Sequence, residues 1–135
     1  MSLGTAEFEI RKSVWATLNA DSQLTSTLGA KIYQRVPDRA ELPYVVLVSS
    51  FEHPMDTLGK IGREVTIRLD CYSEKLDNDE VYLIGSRVDA LLDYMSGMTI
   101  SGYNVISISL DDRTTNTQPE YMRVQLAYLV RVEES

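Results

Sequence analysis

Between Arg63 and Met95 the chain changes its hydrophobic period once, and that change limits what it can fold into. Val65, Ile67, Leu69 and Cys71 alternate with Thr66, Arg68, Asp70 and Tyr72, the period of two of a strand with one apolar face. Asp77-Asn78-Asp79-Glu80 then opens a stretch in which Val81, Ile84, Val88, Leu91, Leu92 and Met95 recur at helical spacing, up to Gly97. Asp77 and Glu80 stand at capping-box spacing. One strand and one amphipathic helix each have a single face to bury, and the rest of the chain must supply the partners.

It does so on both sides. Thr5 is placed to cap a first helix with Glu7 and Glu9 in its opening turn and Ile10, Val14, Trp15 and Leu18 on one face. Asp21 is a second cap, for a short turn carrying Leu24 and Leu28 that Gly29 ends. Lys31 to Arg35 reads as a short strand, and Val36-Pro37 and Leu42-Pro43 bracket a charged loop. Tyr44 to Phe51 reads as a strand apolar on both faces, with Val46 and Val48 on one side and Val45, Leu47 and Phe51 on the other. Such a strand is central or is covered by a partner. Glu52–Gly62 reads as a loop, Met98-Thr99-Ile100 as a short strand, and Tyr103–Leu110 as a strand with Ile106, Ile108 and Leu110 inward. Asp111–Glu120 reads as a polar loop, and Tyr121–Val132 as a strand with Met122, Val124, Leu126, Tyr128, Val130 and Val132 on one face.

The economical packing is an α+β two-layer sandwich: a mostly antiparallel sheet of about five strands with two or three helices on one face. Val88 and Leu126 each sit mid-stripe and are expected in the core. At 135 residues the expectation is a single domain over 1–135, with residues 1–5 as a disordered leader, Ser2-Leu3 resembling the remnant of an expression vector.

Composition argues mostly by exclusion. The net charge is −7 and no Lys/Arg run occurs, so the electrostatic footprint of a nucleic-acid binder or a basic membrane-surface helix is missing. One cysteine forms no internal disulfide and builds no thiolate metal site. His53, the single histidine, precedes Pro54 in a loop. Cys71 lies on an inward face and reads as a buried, inert thiol. Asp77, Asp79 and Glu80 start like a calcium loop, but Val81 and Tyr82 stand where a ligand and a glycine are required. Gly59-Lys60-Ile61-Gly62 has the spacing of an RNA-clamping loop but leads into a strand, in an acidic chain. No catalytic, cofactor or metal set emerges. Eight tyrosines against two phenylalanines suit half-buried and interface positions instead. The reading is of a protein that is not an enzyme and carries no cofactor; the alternative is a small ligand-binding or enzymatic α+β domain whose site the sequence does not display.

The order of motifs resembles a known family. Lys31-Ile32-Tyr33, Pro37, Leu42-Pro43-Tyr44-Val45-Val46, Leu58-Gly59, Arg63 with the strand from Val65 to Tyr72, and Ala90-Leu91-Leu92 together look like the siphophage tail completion proteins, across Ala6 to Val132. Fold and role also resemble the tail terminators of lambda-type phages. The resemblance implies a structural protein of a phage or prophage tail, made in the bacterial cytoplasm. It would cap the tail tube as a ring, commonly a hexamer, and join the head connector. Its partners would be itself, the tail tube protein and the head–tail connector, with DNA passing unbound and no membrane involved. The two-faced strand and the two long loops then supply the expected subunit or partner contacts: Val45, Leu47, Phe51, His53, Met55, Leu58, Arg63, Arg113 and Tyr121.

Overall fold

A computed structural model of the chain describes residues 5–56, 59, 61–74, 79–93 and 100–134. Helix α1 (Ala6–Asn19) begins where Thr5 Oγ1 accepts the backbone N–H of Phe8. A single wide helical turn, Gln23–Thr27, follows, with Asp21 Oδ2 accepting from the backbone N–H of Leu24. Gly29 leaves it at φ 70°, the left-handed conformation glycine reaches without strain. Strands β1 (Lys31–Tyr33), β2 (Tyr44–Pro54) and β3 (Gly62–Ser73) precede helix α2 (Asp79–Leu92), and β4 (Tyr103–Thr117) and β5 (Met122–Glu134) close the chain.

The strands form one sheet in the order β1-β2-β3-β5-β4. Among the described residues only the β1–β2 pair is parallel, so the mostly antiparallel α+β sandwich holds. Both helices lie on one side. Ile10, Val14 and Leu18 of α1 and Val81, Ile84, Val88 and Leu92 of α2 share one buried cluster with Leu69, Leu126 and the rest of the inward sheet face. Val88 and Leu126 are both 0% exposed. α2 comes so near β5 at Gly85 that a Cβ there would sit 3.3 Å from Val124 Cγ1. Met95, Gly97 and Asp77 lie outside the described residues, as do Met98 and Thr99; Ile100 bridges to Tyr103.

Irregular residues reset the phase that simple alternation assigned. In β2 the register shifts between Leu47 and Ser49, making Val48 the extra residue of a bulge. Before it, Val45 pairs with Cys71 and Leu47 with Leu69, and all four are buried under the helices. Beyond it Ser50 and Glu52 turn inward and Phe51 outward, opposite Ile67, Val65 and Thr66. The sequence reading had Phe51 share a face with Val45 and Leu47; the bulge separates them. The inward polar residues are met by α1: Ser50 Oγ donates to Glu7 Oε1 at 2.5 Å, Arg11 donates to Ser50 Oγ and the Leu47 carbonyl, and the backbone N–H of Glu7 donates to Glu52 Oε1. In β4 similar shifts at Ile106 and Asp111 leave Ile106 exposed, and Val105 packs on the core instead.

Both expected loops are shorter than the sequence suggested. β2 runs on to Pro54, and Gly62 already pairs in β3, where a Cβ would run into the Met55 carbonyl. Asp111 to Thr117 is the outer half of β4, paired through Thr117 and Met122. These residues are nearly all exposed, so no apolar alternation betrayed them, although threonine favours strands.

Asp21 also accepts two bonds from Arg87 of α2, at 2.7 and 2.8 Å, fastening the short turn to the long helix. Arg87 holds the Asp21 carboxyl below its ordinary value, against the opposing effect of burial. A depressed folded pKa means that the stabilisation is complete above the unfolded value, about 4, and is lost as pH falls through the folded value. Arg87→Ala is therefore expected to melt below the wild type at pH 7, with the gap closing towards pH 3. A gap that does not change with pH would show that the ion pair does not couple to folding.

Candidate contact surface

Helices cover one side of the sheet. On the other side, register places the outward residues of neighbouring strands in rows. Tyr44 lies beside Tyr72 and Tyr72 beside Arg123; Val46 beside Asp70 and Asp70 beside Gln125; Phe51 beside Thr66 and Thr66 beside Leu129. Tyr33 of β1 meets the Tyr44 ring at 5.8 Å between centroids, Tyr44 meets Tyr72 at 5.1 Å, and Tyr72 meets Tyr121 at 5.4 Å. Four half-buried rings thus form one chain across the outer face, each with an apolar body and a polar tip.

Two charged side chains lie among the rings, Asp70 and Arg123. Asp70 is 3% exposed although it faces away from α1 and α2, and Tyr72 Oη donates to its Oδ2 at 3.2 Å. Asp70 Oδ1 and Arg123 Nε are enclosed there without hydrogen-bond partners among the described residues. Burial pushes the phenols of Tyr44 and Tyr72 up, and the negative charge of Asp70 adds to it. At neutral pH both phenols are uncharged. Next to this cluster Cys71 faces the opposite way, and burial pushes its thiol up to about 12; it is not a nucleophile at neutral pH.

The sequence-chosen contact residues divide accordingly. Val45 and Leu47, at 0% and 1% exposure, belong to the core beneath the helices. The helices of the chain cover their face, which removes both from the expected subunit or partner contacts. Phe51 and His53 do stand on the outer face, half-exposed Phe51 edge-on to His53 at 5.3 Å, and Tyr121 joins the ring chain. Met55 donates its N–H to the Gly62 carbonyl and is half-buried at the β2–β3 turn. Arg63 is held by Glu52 at 3.4 Å and Asp56 at 3.1 Å. Arg113 points to the helical side, 3.0 Å from Asp89, which also accepts from Tyr128 Oη. Leu58 lies outside the described residues.

Tyr33, Tyr44 and Tyr72 escaped the sequence reading. Their number was the available signal, but only strand register brings them together. Leu83 and Tyr82 were missed as well. They stand exposed on the back of α2, and Leu83 lines a groove of about 350 Å³ with Leu28, Thr27 and Ala90. Among the described residues no group of three or more His, Cys, Asp or Glu side chains is placed to hold a metal ion.

The family model described as tail completion protein gp17 matches residues 12–133. No curated protein sequence matches. Among solved structures the chain is similar to one from the virion of a native gene transfer agent particle, at 16% identity, 96% coverage of this chain and 98% of that one, and a TM-score of 0.85.

Proposed function

Since the chain belongs to the tail completion protein gp17 family, and is therefore a structural protein of a phage-type tail, we propose that it caps the tail tube as a closed ring. In that position it presents the surface that joins the head connector. The observation that supports this reading is the outer sheet face. It is broad and aromatic, of the composition that interfaces favour, and among the described residues neither helix covers it. On that face the contacts are Phe51, His53 and Tyr121 with the rest of the tyrosine row; Met55 and Arg63 would contribute from the adjoining β2–β3 turn and Arg113 from the helical side. The subunit acts by assembly, without a cofactor, and DNA slides past an acidic ring. A hexamer is the ring size that the family resemblance favours.

Subunits of charge −7 repel at long range, and salt screens that repulsion beyond about a Debye length. Association should therefore tighten as salt rises. Light scattering across protein and salt concentration measures this, and electron microscopy of the protein mixed with tail tubes should show a ring at one tube end. A protein that stays monomeric at millimolar concentration, in high salt and with tubes present overturns the reading.

A further inference from the structure

Strand β4 lies at one edge of the sheet, and its two halves are held by different means. From Tyr103 to Leu110 it rests on the core: Ile108 is buried, and Tyr103, Val105 and Leu110 pack against the central cluster. From Asp111 to Thr117 every residue is exposed except half-buried Asn116. Little burial holds this half, and backbone pairing to β5 is its main attachment. Segments with few buried contacts open locally at a fraction of the cost of global unfolding. β5 does not share that freedom, because β3 pairs with its other side from Met122 to Glu133.

The boundary between the halves is fastened from α2. The register shifts between Leu110 and Asp112, a bulge that bends the strand. On one side of it the backbone N–H of Leu110 donates to Asp93 Oδ1 at 2.8 Å. On the other, Arg113 donates to Asp89 Oδ2 at 3.0 Å. The two carboxylates stand about one helical turn apart, near the end of α2 and just beyond it. Asp89 is fixed in turn by Tyr128 Oη of β5 at 2.8 Å, and Tyr128 is buried. Among the described residues, the Arg113 bond is the one side-chain hydrogen bond that ties Asp111–Thr117 to a helix.

We propose that Asp111–Thr117 is a strap that opens and closes as a unit on the edge of β5. It hinges at the bulge, with the Asp93–Leu110 bond as its fixed end and the Asp89–Arg113 pair as its latch. Closed, it covers backbone N–H and C=O groups of β5 that would otherwise be a template for a foreign strand. The strap is a property of the single subunit and stands apart from the ring reading.

Residue-resolved amide hydrogen exchange on the dilute subunit tests it. In the wild type, the amides of Asp112–Thr117 that pair with β5 should exchange together, and faster than those of Val65–Tyr72 at the centre of the sheet. Arg113→Ala removes the latch at an exposed position, so the fold survives, which a melting curve verifies. An exposed ion pair shifts such an equilibrium by about 1.5–5-fold, and exchange should accelerate by that factor in the strap alone. Asp93→Ala should move the boundary back and bring Leu110 into the fast set. Asp93→Asn, whose amide oxygen still accepts from Leu110, should restore the boundary. If Asp93→Ala does not fold, the wild type and Arg113→Ala decide. Strap amides as slow as those of β3 overturn the proposal, because β4 then opens only with the whole molecule. An acceleration in Arg113→Ala that is absent, or that spreads equally over β3, overturns it as well.

Discussion

Leu47→Asp is expected to unfold the free subunit. Leu47 is 1% exposed and pairs with Leu69 in a sheet interior roofed by α1. Truncating a leucine in such a place already costs about 2–5 kcal/mol. The carboxyl group adds the cost of burying a polar group with no donor arranged for it, and an ionised one is worse still. Against a total stability of roughly 5–15 kcal/mol, the sum removes most or all of the folded population. Circular dichroism on a dilute sample measures it: the variant should lack the cooperative melt of the wild type at pH 7. A variant that melts normally and merely fails to associate would return Leu47 to the surface and refute the bulge at Val48. Phe51→Asp, four residues on but exposed, should leave the melt within about 0.5 kcal/mol of the wild type.

Leu126→Ala should lower stability by about 2–5 kcal/mol. Leu126 is fully buried in β5, between Leu69 of β3 and Arg113 of β4, on the face that packs against α2. The methyl groups removed leave a space that neighbouring strands cannot close, because backbone pairing on both sides holds β5 in place. For a chain of this length the loss corresponds to a fall in melting temperature on the order of 10 °C. An unchanged melting temperature would mean that β5 does not form the centre of the core.

The regular elements were legible because each has one buried face. The stripes Ile10–Leu18 and Val81–Leu92, and the alternations from Val65 and from Met122, describe the packing found. Legibility ended where one extra residue changes a strand's phase. Nothing local marks Val48 or Ile106 as bulged, since both are β-branched apolar residues of the kind strands favour. The outer half of β4 was hidden for a related reason: Arg113-Thr114-Thr115-Asn116-Thr117 has no buried face and shows no period. The tyrosine row was hidden because it is a property of register. Tyr33, Tyr44, Tyr72 and Tyr121 come from separate segments and touch only after β1, β2, β3 and β5 have paired.

The bulge in β2 has a consequence for how this chain tolerates change in length. Val48 is half-exposed and its side chain contributes little, so its identity is nearly free while its presence is not. Deleting it would carry Ser50 and Glu52 out of reach of Glu7 and Arg11 and turn Phe51 and His53 into the core. In chains built on this plan, the number of residues between Leu47 and Ser50 is constrained far more tightly than the nature of the residues that fill the interval.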